Sequence, residues 1–171
     1  EVLVFLRCHR QFHLGIVTRT ERLDGARVGL ERVDARGREA AQEELGVHAA
    51  VRADLEDGGP WPFGTRQFQG IVVTNYLHRP LFAAIASALS PGGVLIYETF
   101  GIEHARVGRP SRPDFLLQPG ELLQVCRDLR VVAYEDGFLA APERFVQRIV
   151  ALREDPADPA AGQRRRLDPA G

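Results

Sequence analysis

Short apolar runs alternate with helix-like stretches over residues 45–152, and this alternation constrains the fold more than any other feature of the sequence. Phe68–Thr74 and Val94–Tyr97 are almost entirely apolar, which is typical of central strands covered on both faces. Pro80–Leu89, which lies between them, carries apolar residues at three- and four-residue spacing and predicts a helix. The alternation therefore predicts an α/β protein built on a mostly parallel sheet.

The rest of the chain extends this pattern less regularly. The sequence predicts further strands at Val2–Leu6, Leu14–Thr18, Ala26–Val33, Val47–Ala53, Val131–Tyr134 and Phe145–Leu152. It predicts helices at Glu39–Leu45 and Pro119–Leu129, and a long loop at Gly101–Leu117. We expect residues 1–153 to form one domain, and residues 154–171, in which Pro, Asp, Ala and Arg dominate, to form a disordered tail.

Composition limits the classes of function. A net charge of -1 gives no general reason to expect a nucleic acid or an anionic membrane as partner. No apolar run approaches the roughly 18–20 residues that cross a bilayer, so a cytoplasmic location is the default expectation. The two cysteines, Cys8 and Cys126, form no metal-ligand spacing and are expected to be reduced, and no metal site is predicted. The sequence does not indicate an oligomeric state.

Polar residues follow three of the predicted strands. Asp54 ends the strand Val47–Ala53, Asn75 follows the strand Phe68–Thr74, and Glu98 ends the strand that Pro91-Gly92-Gly93 precedes. Ligands of an open parallel sheet bind in the crevice beyond the carboxyl ends of its strands. We therefore expect Asp54, Asn75 and Glu98 to face one crevice.

These segments resemble successive motifs of class I S-adenosylmethionine-dependent methyltransferases. Asp54-Leu55, Gly70–His78 and Leu89–Ile96 carry the resemblance, which extends over roughly residues 45–153. The sequence is most similar to small bacterial proteins of the tellurite-resistance-methyltransferase-like group, a similarity that Gly108-Arg109-Pro110 and Pro113–Leu117 strengthen. The resemblance implies a Rossmann-like, doubly wound, mostly parallel sheet with an antiparallel C-terminal strand. It also implies methyl transfer from S-adenosylmethionine to a small-molecule acceptor.

The resemblance also implies which residues hold the cofactor. Asp54 would accept a hydrogen bond from the adenine amino group, and the backbone N–H of Leu55 would donate to an adenine ring nitrogen. Asp34, with Glu31 as its rival, would accept hydrogen bonds from the ribose hydroxyls, a task that suits a carboxylate. Thr74 and Asn75 would line the methionine part of the cofactor. An ordinary solvated acid at position 54 and a helix-capping role for Asn75 are the alternatives.

Four residues are candidates for contact with the methyl acceptor. Tyr76 and His78 are the candidate catalytic residues, because they could position or deprotonate a substrate and a histidine titrates near neutrality. Glu98 and Arg109 are candidate substrate contacts, and the planar guanidinium of Arg109 suits an anionic group. A surface position beside Arg79 and Pro80 is the alternative for His78.

One expected motif is absent. Methyltransferases of this class carry a glycine-rich turn after the first strand, where the bare backbone approaches the cofactor. The glycines before Asp34 are Gly15, Gly25 and Gly29, and no two of them have G-x-G spacing. A degenerate, non-catalytic Rossmann-like module is therefore the alternative function. A dehydrogenase is a third interpretation, which needs the same glycine turn and lacks the support of Pro91-Gly92-Gly93.

Overall fold

The computed structural model describes residues 3–9, 13–18, 49–53, 55–56 and 58–158, with side chains for residues 55–56 and 58–158. The predicted strand Ala26–Val33 and the predicted helix Glu39–Leu45 lie outside the described residues. Most of the predicted tail also lies outside them, since the described part ends at Asp158.

The described residues form a seven-stranded sheet with the order β3-β2-β1-β4-β5-β7-β6. The strands are β1 (Leu3–His9), β2 (His13–Thr18), β3 (Ala49–Ala53), β4 (Phe68–Thr74), β5 (Leu89–Phe100), β6 (Arg130–Ala140) and β7 (Glu143–Leu152). In the centre, β4 pairs in parallel with β1 on one side and with β5 on the other, while β7 runs antiparallel between β5 and β6. The predicted Rossmann-like α/β sheet with an antiparallel C-terminal strand is confirmed.

The first two strands depart from an all-parallel arrangement. β1 and β2 pair antiparallel from Val4 with Thr18 to His9 with His13, so three residues connect them. A parallel crossover needs a dozen or more residues, whereas a connection this short reverses the chain. Because β3 is in turn antiparallel to β2, β3 regains the direction of β1, β4 and β5. Only β2 and β7 run the opposite way among the described strands.

The two α-helices in the described part of the chain are shorter than the sequence predicts. Helix α1 spans Phe82–Ser87 and follows a 3-10 turn at Arg79–Leu81, and helix α2 spans Glu121–Val125. The first helix ends before Leu89 because that residue already pairs with Phe68 as the start of β5. The second begins after Gly120, whose φ of 72° places it in the left-handed region outside the helix. Two further 3-10 turns, Ile102–Arg106 and Pro113–Phe115, interrupt the predicted loop.

Pro91-Gly92-Gly93 belongs to β5 and does not precede it, because β5 already begins at Leu89. The register between β4 and β5 jumps at this segment, since Phe68 pairs with Leu89 but Gly70 pairs with Val94. The extra residues bulge out of the ladder, and Gly92 adopts a φ of 74° there. A Cβ on Gly93 would lie 2.8 Å and 2.9 Å from two backbone carbonyl oxygens, so this position requires glycine.

The described core lies on one face of the central strands. Val73, Tyr97 and Ile149 are register partners on β4, β5 and β7, and each is at most 1% exposed. Ile85 of α1 and Leu122 of α2 belong to the same buried cluster. On the opposite face, Ile96 is 44% exposed although it lies on a central strand. The two helices therefore cover a single face among the described residues.

Candidate functional site

The carboxyl ends of β4 and β5 adjoin at one edge of the sheet. Thr74, the last residue of β4, is the register partner of Glu98. The backbone N–H of Asn75 donates to the carbonyl oxygen of Glu98 over 2.9 Å, which carries the contact one residue beyond β4. Asn75 has a φ of 52°, a left-handed conformation that asparagine tolerates better than most residues, and β4 ends there. The structure thus brings together Thr74, Asn75 and Glu98, three of the predicted site residues.

The other predicted cofactor residues are farther along the sheet or outside the described part. Asp34 and Asp54 both lie outside the described residues, although β3 ends at Ala53, the residue before Asp54. β3 shares the direction of β4, but β2 and β1 separate the two strands. Leu55 is described, and its side chain is 8% exposed in the core cluster.

The side chain of Asn75 offers a free acceptor. Its Oδ1 is buried and has no hydrogen-bond partner in the described part of the chain. Leaving a buried polar atom unpaired costs about 1–3 kcal/mol, which a ligand that donates a hydrogen bond would recover. An ammonium group has three such donors, so Asn75 fits the amino-acid end of S-adenosylmethionine.

Tyr76 and His78 occupy different environments. The Tyr76 side chain is 6% exposed and belongs to the core cluster, and its backbone carbonyl accepts a 2.8 Å hydrogen bond from the hydroxyl of Tyr97. Burial raises the pKa of Tyr97 well above its usual range, so that hydroxyl stays a donor. His78 is half-buried, and its carbonyl accepts from the N–H of Leu81 where the 3-10 turn begins. Tyr76 thus lies in the buried cluster, whereas His78 lies in the loop between β4 and α1.

Glu98 is held by two arginines of β7. Its carboxylate contacts the guanidinium of Arg148 at 2.5 Å and that of Arg144 at 3.4 Å. Arg148 also pairs with Glu135 of β6 at 3.2 Å. The hydrogen bonds that Arg148 donates to Glu98 and, with a smaller effect, to Glu135 raise the pKa of Arg148. Ion pairs therefore link β5, β6 and β7 near the edge where Asn75 lies.

Arg109 contacts His104 through its backbone carbonyl group. Its side chain is exposed, while its carbonyl oxygen lies 3.1 Å from Nε2 of His104. The His104 ring is 4% exposed and stacks on Phe100, with ring centroids 4.3 Å apart and an interplanar angle of 20°. Sequence reasoning missed His104, because an isolated histidine in a long loop matches no motif.

Arg79 is a second residue that the sequence analysis missed. Its guanidinium donates to both carboxylate oxygens of Glu121 at 2.7 Å and 2.9 Å, and to the carbonyl oxygens of Asp114 and Leu116 at 2.9 Å each. It therefore links the residues after β4 to the loop before α2, and we call these four hydrogen bonds the Arg79 clamp. An open groove of about 400 Å³ lies beside this clamp, between α1 and α2.

The segment between β1 and β2 lacks the glycine-rich sequence that methyltransferases of this class carry after the first strand. Arg10, Gln11 and Phe12 connect β1 to β2, and none of them is glycine. Since the antiparallel β2 runs away from the edge where β1 and β4 end, its last residue, Thr18, belongs to the opposite edge. The described residues thus fit the amino-acid end of S-adenosylmethionine at β4 but do not offer a glycine turn at β1.

The described residues show neither a helix that could span a membrane nor a cluster of metal-binding side chains. No described helix is long and apolar enough to span a membrane. Within the same part of the chain, no three His, Cys, Asp or Glu side chains cluster as metal ligands would.

The strand order 3-2-1-4-5 followed by a β7–β6 hairpin defines the class of fold, because Rossmann-type sheets reverse their order between strands 1 and 4. The sequence matches no protein-family model and no curated protein. Among solved structures, the chain is similar to TehB from Haemophilus influenzae, with 15% identity and a TM-score of 0.50 over 70% of this chain and 46% of TehB. The chain therefore shares the Rossmann-like α/β fold of TehB.

Two other solved structures are similar at lower scores. One is a SAM-dependent methyltransferase from Aquifex aeolicus, with 14% identity and a TM-score of 0.47 over 69% of this chain and 62% of that one. The other is a 16S rRNA (adenine(1408)-N(1))-methyltransferase from Catenulisporales acidiphilia, with 14% identity and a TM-score of 0.44 over 64% and 61%. The chain thus spans about half the length of TehB and about three-fifths of the other two.

Proposed function

We propose that the protein transfers a methyl group from S-adenosylmethionine to a small-molecule acceptor. The observation that carries the proposal is the junction of β4 and β5, where Thr74, Asn75 and Glu98 meet at the carboxyl edge of a methyltransferase-type sheet. The free Oδ1 of Asn75 supports it, because a buried acceptor at this edge matches the ammonium group of the cofactor.

In this proposal the cofactor lies across the edge from β3 to β4. Asp34 binds the ribose, Asp54 and Leu55 bind the adenine, and Thr74 and Asn75 bind the methionine part. When bound, S-adenosylmethionine supplies an already activated methyl group on its sulfonium. The protein's task is then to align the acceptor and to exclude water.

The acceptor lies toward β5 and the loop that follows it. Tyr76 and His78 position it from the segment after β4, while Glu98 and Arg109 contact it from β5 and the loop Gly101–Leu117. The ion pairs of Glu98 with Arg144 and Arg148 orient its carboxylate, so its role is to fix one side of the acceptor site.

A second function rests on a different observation. The three residues between β1 and β2 are Arg10, Gln11 and Phe12, so no glycine directly follows β1 in the sequence, and this favours a non-catalytic Rossmann-like module. The two functions differ in whether the chain binds the cofactor at all.

Titration calorimetry with S-adenosylhomocysteine distinguishes them. A methyltransferase binds this ligand, and the absence of heat at millimolar ligand would defeat the proposal in favour of the non-catalytic module. Asn75→Gly removes the side-chain amide, and glycine tolerates the positive φ at this position. The variant should raise the Kd for S-adenosylhomocysteine about tenfold, which is equivalent to about 1.4 kcal/mol. Asn75→Asp keeps an acceptor at the same place and should retain binding. An Asn75→Gly variant with unchanged Kd would show that the ligand binds elsewhere.

A further inference from the structure

Strand β6 (Arg130–Ala140) is the last strand on one side of the sheet. It pairs with β7 along its inner side, and no strand pairs with its outer side among the described residues. The strand is 11 residues long, and every residue in it except Tyr134 and Leu139 is exposed. An unpaired strand of this length presents a row of backbone N–H and carbonyl groups to which another strand can pair.

Two large apolar side chains of β6 are exposed. Val131 and Val132 are 39% and 41% exposed, although they are consecutive in the strand. Consecutive residues of a regular strand point to opposite faces, but the ladder with β7 skips Val132, which marks a bulge. Exposed valines beside unpaired backbone groups favour pairing with another strand.

The charges of β6 suit a second copy of the same strand. Arg130 begins the strand, whereas Glu135 and Asp136 follow the two valines. In antiparallel pairing about a two-fold axis near Ala133, Arg130 of each copy lies opposite Asp136 of the other, because both residues are equally far from Ala133 in the sequence. Opposite charges that face each other across a strand pair stabilise it, whereas parallel pairing in register would set like charges side by side.

Both of these charged side chains are accessible to a second copy. Arg130 contacts Glu154 at 3.3 Å, and both side chains of this ion pair are exposed. Asp136 accepts a 3.1 Å hydrogen bond from the hydroxyl of Tyr134 at an exposed position. Surface contacts of this kind are screened by solvent and weak, so exchanging them for contacts with another chain costs little.

We propose that the outer side of β6 is an interaction surface for a second copy of the chain, which pairs with it antiparallel about a two-fold axis near Ala133. The two sheets then join, with Val131 and Val132 of both copies at the centre and an Arg130–Asp136 ion pair on either side. An apolar centre with a polar rim is the usual arrangement of a protein interface. Because only one strand of each copy takes part, the dimer is weak and forms at micromolar or higher concentration.

This surface is separate from the proposed cofactor site. β5 and β7 lie between β6 and β4, the strand that Asn75 follows. Neighbouring strands are about 4.8 Å apart, so about 14 Å of sheet separates the two. The proposal therefore does not depend on the proposed function, and S-adenosylhomocysteine should leave the dimer Kd unchanged.

Sedimentation velocity measures the association directly. For the unmodified chain, the mean mass should rise from that of one copy toward that of two between about 10 μM and 1 mM. A chain that stays monomeric over this range would overturn the proposal.

A lysine at the centre of the surface tests its location. Val132→Lys should raise the Kd of the dimer at least about tenfold, because it places two like charges close to the axis. Leu123→Lys is the matched control, since Leu123 is 38% exposed but belongs to α2. Both positions are exposed, so both variants should keep the Tm of the unmodified chain. Equal effects of the two variants on the Kd would place the contact elsewhere and contradict the proposal.

Charge reversal tests the antiparallel arrangement. Arg130→Glu alone and Asp136→Arg alone each set like charges opposite one another, and each should raise the Kd about tenfold. The double variant restores opposite charges in the reverse sense and should recover most of the affinity. Glu154→Gln, which removes only the contact within one chain, should have no effect. A double variant that dimerises no better than the single ones would rule out the two-fold pairing of β6.

Discussion

The Arg79 clamp gives the most direct test of how the site is held together. We expect Arg79→Ala to lower the free energy of unfolding by about 2–3 kcal/mol. A hydrogen bond to a charged group contributes about 1.5–3 kcal/mol, and Arg79 makes two to Glu121, whose side chain is 17% exposed. Because the Arg79 side chain is itself 39% exposed, the sum is reduced by solvent screening. The carbonyl oxygens of Asp114 and Leu116 also lose a donor.

Thermal unfolding followed by circular dichroism measures this loss. For a chain of this size 1 kcal/mol corresponds to about 2–4 °C, so the Tm should fall by roughly 5–10 °C. Arg112→Ala is the matched control in the loop that Arg79 contacts. Its ion pair with Asp114 is 73% and 72% exposed, and its guanidinium lies 5.3 Å from the exposed Phe115 ring, so its removal should cost at most about 1 kcal/mol.

The pH dependence gives an independent check. Burial raises the pKa of Glu121, but the Arg79 hydrogen bond, the N–H of Gln118 and the charge of Arg79 outweigh it, so the net pKa lies below the ordinary value of 4.5. A lowered folded-state pKa contributes stability above the unfolded value that is lost as the pH falls through the folded one. The difference between the unmodified chain and Arg79→Ala should therefore shrink below about pH 4.5. A constant difference, or a loss no larger than that of Arg112→Ala, would refute this account of the clamp.

Two further predictions concern the β4–β5 region. Gly93→Ala should cost about 2–3 kcal/mol in urea unfolding, because its Cβ would meet two backbone oxygens under 3.0 Å away. Gly92→Ala, which has open space and only a positive φ to strain, should cost about 1 kcal/mol, and the reverse order would contradict the bulge geometry. Tyr97→Phe should cost about 1–2 kcal/mol because the buried carbonyl of Tyr76 loses its donor. Tyr134→Phe, which loses the hydrogen bond to the exposed Asp136 and one with the backbone of Gly120 at a partly exposed position, should cost under about 1 kcal/mol; a loss as large as that of Tyr97→Phe in chemical denaturation would argue against the Tyr97 bond.

The sequence by itself determined the central strands and the residues that follow them. β4 spans Phe68–Thr74 as predicted, because an apolar run bounded by turn residues has few other ways to be buried. Asn75 and Glu98 meet at one edge for a topological reason, since the carboxyl ends of adjacent parallel strands coincide. The roles of Asp34 and Asp54 stay predictions, because both residues lie outside the described part of the chain.

Only the tertiary structure decided the direction of β2, the place of Pro91-Gly92-Gly93, the contacts of Arg79 and the burial of His104. A local pattern shows that a segment is a strand but not which way it runs, because direction depends on which neighbour it pairs with. Arg79 reaches Glu121 across 42 positions of the sequence, and no short motif encodes such a contact. The burial of His104 likewise depends on the fold, because its ring stacks on Phe100 and reaches the carbonyl oxygen of Arg109 only when the loop after β5 is in place.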